Sequence, residues 1–168
     1  MTIQVGDKLP SAALYEFFHE ETEGCSLGPN KFDAAAEAAG KKIAILGLPG
    51  AYTPTCSAKH LPGFIDQVDA FKAKGVDQIW CVSVNDAFVM GAWGKSLGAD
   101  GKVRMMADGV AEFTKKIGME LDLSARGLGI RSNRYSMLVE DGVVKSINLD
   151  PPGTFEHSSA EVLLKQLV

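Results

Sequence analysis

The sequence predicts an α/β fold, a mixed central β-sheet flanked by helices with a β extension at the N-terminus. Three observations carry that expectation. Residues 42–48 and 78–84 are nearly continuous apolar runs, the pattern of strands buried on both faces. Each run is followed by a stretch with helical periodicity. Near the C-terminus, Asp141-Gly142 separates two further strand-like runs, a strong short-range signal for a hairpin.

Taken in order, residues 1–15 alternate loosely, with punctuation at 7–10, and read as an edge strand or hairpin ahead of the main sheet. Residues 32–40 are alanine-rich and end on Gly40, which predicts a short helix with a glycine stop. The strand over 42–48 meets Pro49 and Gly50 and must turn there. From Thr55 onward, Leu61, Phe64, Ile65, Val68 and Phe71 recur at spacings of three and four, predicting an amphipathic helix that stops near Gly75. After the strand over 78–84, Asn85 or Asp86 caps a helix through Phe88, Val89, Trp93 and Leu97. Trp93, Phe88 and Met90 on that helix read mainly as core. Residues 103–106 predict a short strand and 111–117 a short helix. Residues 135–140 and 143–147 form the hairpin, and 160–167 a closing helix with Val162, Leu163 and Leu167 inward. A thioredoxin-like architecture fits this order.

With 168 residues, 46% of them apolar, the chain is long enough to bury a core without disulfide staples, and a single domain over 1–168 is expected. The 17 basic and 21 acidic side chains leave a net charge of -4 with no long run of one sign. That balance offers no electrostatic footprint for nucleic acid. No stretch approaches the length of a membrane span, and residues 1–10 are interrupted by Gly6, Asp7 and Lys8, unlike a targeting segment. A soluble, cytoplasmic protein is the expectation. Cys25, Cys56 and Cys81 cannot all pair within the chain and match no zinc spacing, and His19, His60 and His157 are scattered, so no metal is expected.

Chemistry concentrates in residues 49–56, which join the first central strand to the long helix and end on Cys56. A thiol is a useful nucleophile as its thiolate, and the first turn of a helix favours that charge through unpaired N–H groups and the dipole. Loops at the carboxyl ends of strands in open α/β sheets also form ligand crevices. Inert burial is the ordinary fate of a cysteine. Here polar Thr53, Thr55 and Ser57 surround the thiol and Pro49 and Pro54 stiffen the loop, which weighs against it. The segment Gly47-Leu48-Pro49-Gly50 lacks the Gly-Lys-Ser/Thr of a phosphate-binding loop.

The pattern Pro49-x-x-x-Thr53-x-x-Cys56 resembles the peroxiredoxin active-site motif, and the flanking Cys56-Ser57-Ala58-Lys59-His60-Leu61-Pro62-Gly63-Phe64 is similar to the type II, peroxiredoxin-5-like branch. The resemblance extends through residues 81–90, through Arg134-Tyr135-Ser136-Met137 and through 141–145, nearly the whole chain. It implies a thiol-dependent peroxidase acting on hydrogen peroxide and alkyl hydroperoxides, with antioxidant function. Cys56 is then the peroxidatic nucleophile, oxidised to a sulfenic acid, with no metal or organic cofactor. The Thr53 hydroxyl bonds the sulfur and orients the peroxide, and Pro49 shields the thiolate. Arg134 supplies a fixed charge that lowers the thiol pKa and steadies the oxygen gaining charge. Arg131 competes for that role, and the match at 134–137 selects Arg134. A homodimer built near the active-site loops is also implied.

The second half-reaction needs a reductant. Cys81 follows Cys56 by 25 positions, the spacing of the second cysteine in plant-like type II enzymes, which makes it the candidate resolving residue. Its setting within an apolar run instead suggests a structural core thiol. Animal-like members carry a resolving cysteine in the segment matching 153–159, where this chain has Ser158 and no cysteine. Cys25 reads as incidental. The preferred reading is reduction by external glutathione or glutaredoxin, with thioredoxin as the second choice. His60, four positions after Cys56, suggests a cysteine-histidine hydrolase pair, but a helix-surface histidine is the favoured reading. A thioredoxin-like disulfide reductase needs a close cysteine pair that this sequence lacks. A redox-regulated binding or holdase module without fast turnover is the alternative to an enzyme.

Overall fold

The computed structural model describes residues 1–18 and 28–167, with Cys56 described through its backbone alone. Cys25 and His19 lie outside the described residues. In chain order the elements are β1 (Ala13–Glu16), β2 (Asn30–Asp33), α1 (Ala34–Ala38), β3 (Lys42–Gly47), a π-helical turn (Cys56–His60), α2 (Leu61–Asp66), α3 (Val68–Ala73), β4 (Gln78–Ser83) and α4 (Ala87–Ser96). There follow β5 (Arg104–Ala107), α5 (Glu112–Lys116), β6 (Glu120–Asp122), β7 (Ile130–Ser132), β8 (Arg134–Glu140), β9 (Val143–Asp150) and α6 (Ala160–Gln166).

The two apolar runs become neighbouring parallel strands, β3 and β4, near the middle of a seven-stranded mixed sheet of order β2-β1-β5-β4-β3-β8-β9. Strand pleating sends alternate residues to opposite faces, so a strand covered on both sides must be apolar throughout. Ala44, Leu46, Leu48, Ile79 and Cys81 enter the layer that holds the apolar sides of α2, α3, α4 and α6. Ile43, Ile45, Trp80 and Val82 enter the opposite layer with residues of α1, α5 and the N-terminal segment. The hairpin forms as predicted: Glu140 pairs with Val143 across Asp141 and Gly142, whose φ values of 48° and 76° suit a two-residue turn. The N-terminal extension is smaller than 1–15. Only Ala13–Glu16 is a strand, paired between the edge strand β2 and β5, and Lys8 makes one isolated bridge to Val143.

Two departures matter for the site. The helix expected to run evenly from Thr55 opens with a π turn and bends at Gln67 between α2 and α3. Pro62 has no N–H to return to the preceding turn and its ring crowds that turn, so a wider turn just before it relieves both problems. The short pair β6 and β7 forms its own two-stranded sheet, which no alternation in the sequence announced. Among the described residues no helix is long and apolar enough to cross a membrane, and no group of three acidic, cysteine or histidine side chains is placed to hold a metal ion.

Candidate active site

The loop after β3 is held from the neighbouring strand. Asn85, just beyond β4, accepts a hydrogen bond from the Ala51 N–H at 2.9 Å and from the Ser83 hydroxyl at 2.6 Å. Tyr52 then adopts φ 63°, a left-handed conformation unusual for a residue with a side chain, of the kind that persists where surroundings impose it. The Thr53 hydroxyl donates to the Gly50 carbonyl at 2.7 Å, and the Thr53 carbonyl accepts from the Ser57 N–H at 2.9 Å, starting the helical turn that contains Cys56. Ser57 is fixed in turn by the Trp93 indole N–H at 2.9 Å. On α4, Met90 and Trp93 are buried as expected, whereas Phe88 is exposed, because the helix turns position 88 away from the sheet.

Arg134 opens β8, the antiparallel neighbour of β3, and its guanidinium Nη1 donates to His60 Nδ1 at 2.9 Å. His60 Nε2 lies 3.0 Å from the Ser158 carbonyl, so that nitrogen carries the proton and Nδ1 is the acceptor. The Phe155 ring packs on both groups, 5.1 Å from the imidazole centroid and 5.7 Å from the guanidinium carbon. His60 is completely buried, which corrects the expectation of a helix-surface histidine. The reason is legible in hindsight. Position 60 extends the inward stripe of Phe64, Val68 and Phe71 by one turn, and its ring meets the edge of Phe64 at 5.8 Å. Burial, and then the Arg134 charge, lower its pKa to about 3 against the opposing pull of the Ser158 carbonyl and Asp150, so the imidazole is neutral near pH 7. A neutral histidine already engaged at both nitrogens is poorly placed as the general base of a hydrolase.

Asp150, the last residue of β9, is buried and accepts from the N–H groups of Glu156, His157 and Ser158 and from the Ser158 hydroxyl. Burial alone would raise its pKa, but these donors, the hydroxyl foremost, hold the carboxyl below its usual value. No local pattern marks Asp150 or Phe155, since an aspartate before Pro151-Pro152-Gly153 looks like an ordinary turn residue, and Asn85 and Ser158 stand out in the sequence only as a candidate helix cap and as a serine where animal-like relatives carry a cysteine. Arg131, the rival for Arg134, lies on β7, donates to the Leu128 carbonyl at 2.9 Å and reaches the Pro49 carbonyl at 3.4 Å, so it braces the loop from below. Pro49 itself is half-buried beside it. Cys81 is fully buried at the centre of β4, in register with Leu46 on β3 and Met105 on β5.

A mixed sheet with a cysteine opening the helix after its central strand, and an arginine brought to that helix from an antiparallel strand, defines a thioredoxin-like thiol redox protein. Residues 4–164 match the Redoxin family. The chain is 52% identical over 170 residues to peroxiredoxin-2E-2, chloroplastic, of Oryza sativa subsp. japonica, covering 99% of this chain and 73% of that protein. The crystal structure of reduced Prx3 from Vibrio vulnificus in complex with H2O2 is 44% identical, with a TM-score of 0.90 and coverage of 99% of this chain and 100% of that one. A provisionally named thioredoxin reductase from Burkholderia cenocepacia is 56% identical, with a TM-score of 0.98 over 100% of this chain and 99% of that one. The chain belongs to the peroxiredoxin family, and the relatives agree with its type II resemblance. Its activity is that of a thiol peroxidase with an antioxidant role.

Proposed function

We propose that this protein reduces hydrogen peroxide and alkyl hydroperoxides through Cys56, with glutathione or glutaredoxin as the reductant and thioredoxin as the second choice. The observation that carries this reading is the Arg134–His60 hydrogen bond, which holds a guanidinium one helical turn from Cys56 on the helix that Cys56 opens. The thiolate attacks one peroxide oxygen in line, the O–O bond breaks, and the departing oxygen leaves as water or an alcohol after taking a proton. Cys56 becomes a sulfenic acid. A first glutathione thiol displaces water to give a mixed disulfide, and a second thiol releases Cys56 and carries the disulfide away.

Each neighbour has a chemical part in this scheme. The Thr53 proton is committed to the Gly50 carbonyl, so its oxygen meets the substrate as an acceptor and can take the hydrogen bond of a hydroperoxide O–H. Arg134 favours the thiolate and faces the charge that develops on the breaking bond. Pro49 narrows the approach of bulk water. Cys81 acts as a core thiol, since a residue hydrogen-bonded into the middle of a sheet moves little and a disulfide needs its Cα atoms within about 7 Å. The reductase name of the Burkholderia relative is not carried over, because Cys25, Cys56 and Cys81 include no close pair.

Peroxide consumption with glutathione and glutaredoxin, and separately with thioredoxin, tests the scheme in wild type, Cys56→Ser, Arg134→Ala and Thr53→Val. Cys56→Ser should abolish turnover, and Thr53→Val should lower the peroxide rate by about 100-fold, the cost of losing orientation at a reacting atom. Retention of the rate in Cys56→Ser would end the proposal. Mass spectrometry after one equivalent of peroxide and glutathione should find glutathione on Cys56, whereas a quantitative Cys56–Cys81 crosslink would transfer the resolving role to Cys81.

A further inference from the structure

We propose that Asp150 is a positioning residue of the peroxidase site. By clamping the loop at 156–158 it fixes, through the Ser158 carbonyl and His60, the direction of the Arg134 guanidinium. The inference rests on the reading of Arg134 given above.

Asp150 spends both carboxylate oxygens on one short segment. One oxygen accepts from the Glu156 and His157 N–H groups, each at 2.9 Å, and the other from the Ser158 N–H at 3.0 Å and its hydroxyl at 2.5 Å. Neither neighbouring element needs these bonds. The chain reversal at Pro151-Pro152-Gly153 is closed by Thr154, whose N–H and hydroxyl donate to the Pro151 carbonyl at 3.0 and 2.9 Å. Helix α6 is capped by Ser159, whose hydroxyl accepts from the Val162 N–H. What the clamp does hold is the stretch that touches the site.

That stretch delivers two groups. The Ser158 carbonyl accepts a hydrogen bond from His60 Nε2–H, and a neutral imidazole protonated there must accept at Nδ1, where Arg134 donates. The carbonyl therefore selects the tautomer that can receive a guanidinium. An outer partner sets a working group in the same way when a carboxylate or carbonyl orients a histidine from behind. Phe155, immediately before the clamped residues, lies against both the imidazole and the guanidinium and limits the space in which Arg134 can swing. Register also matters: Asp150 stands directly opposite Arg134 across β8 and β9, so the anchor and the positioned group share one rigid strand pair.

A double-mutant cycle of Asp150→Asn with Arg134→Ala tests this, read as the second-order rate with peroxide and as the pH midpoint of Cys56 alkylation. The amide offers one acceptor oxygen in place of two and turns an NH2 donor toward the remaining N–H groups, so it cannot serve all four donors, and Asp150→Asn should lower the peroxide rate by about 10–100-fold, as for other orienting partners. It should also move the alkylation midpoint upward and cost nothing further once Arg134 is gone. Glu16→Gln, which weakens the Arg104 cluster at the opposite edge of the sheet, should lower thermal stability and leave both readouts in place. If Asp150→Asn folds poorly, Ser158→Ala supplies a smaller loss that must likewise vanish in the Arg134→Ala background. An equal loss in both backgrounds, or an unchanged rate, overturns the proposal. An inert Arg134→Ala overturns it together with the reading of the arginine, while a large Arg134→Ala effect beside an inert Asp150→Asn overturns this inference alone.

Discussion

At His60 the imidazole is neutral because the fold leaves it no water and sets a guanidinium beside it. The consequence is a stability signature. In the unfolded chain the ring takes up its proton below about pH 6.5, whereas in the folded protein it resists until about pH 3. Between those values the unfolded state binds more protons, so stability falls as pH falls, by about 1.4 kcal/mol per pH unit well below 6.5. The other charged groups facing the ring are Arg134 on β8 and Asp150 on β9, and the donors around Asp150 hold its carboxyl below its usual value. Urea denaturation at pH 7, 6 and 5 should show that slope in wild type and a flatter one in His60→Asn. The proposed site residues Cys56, Thr53 and Pro49 fall within eight positions, so a short motif is enough to point to them. His60, expected on the helix surface, is buried because the apolar stripe of Phe64, Val68 and Phe71 continues back to position 60.

Among the elements, the pairing of β3 with β8 sets a strict steric demand. Gly47 lies opposite Tyr135, whose buried ring occupies the space a β-carbon would need. Gly47→Ala should therefore destabilise the protein by about 1–3 kcal/mol, the usual cost of overpacking a core, seen as a lowered midpoint in thermal unfolding. The effect belongs to the sheet, so Gly47→Ser should be at least as harmful, and an unchanged midpoint for the alanine variant would show that the ring can move aside. The continuous apolar runs made β3 and β4 readable, and Asp141-Gly142 made the final hairpin readable. By contrast, β6 and β7 pair through three residues each, too short for alternation to rise above chance, and the π turn depends on how Pro62 meets the preceding helix.

Across the whole molecule, parallel strands β3, β4 and β5 end on the same edge of the sheet, and the segments that leave them expose Tyr52, Phe88 and Val110 at 57%, 56% and 79%. Exposed apolar side chains on the segments leaving one end of the sheet suit an interface, and the homodimer that the resemblance implies would be expected to cover them. Sedimentation velocity at micromolar concentration should find a dimer in wild type, and Phe88→Glu, which would bury a charge there, should shift it to monomer. A monomeric wild type would remove the dimer from the account and leave the chemistry of Cys56 intact.

The sequence by itself determined the strand-loop-helix unit around Cys56, the buried central strands and the terminal hairpin, because each is a pattern repeated or completed within a few residues. Tertiary structure alone decided which groups surround Arg134. His60 is 74 positions away from it, and Ser158 is 98 positions from His60. Their meeting depends on the β8–β9 register and on the rotation of the helix after Cys56, and both are settled by packing against the shared sheet, where no local spacing records the outcome.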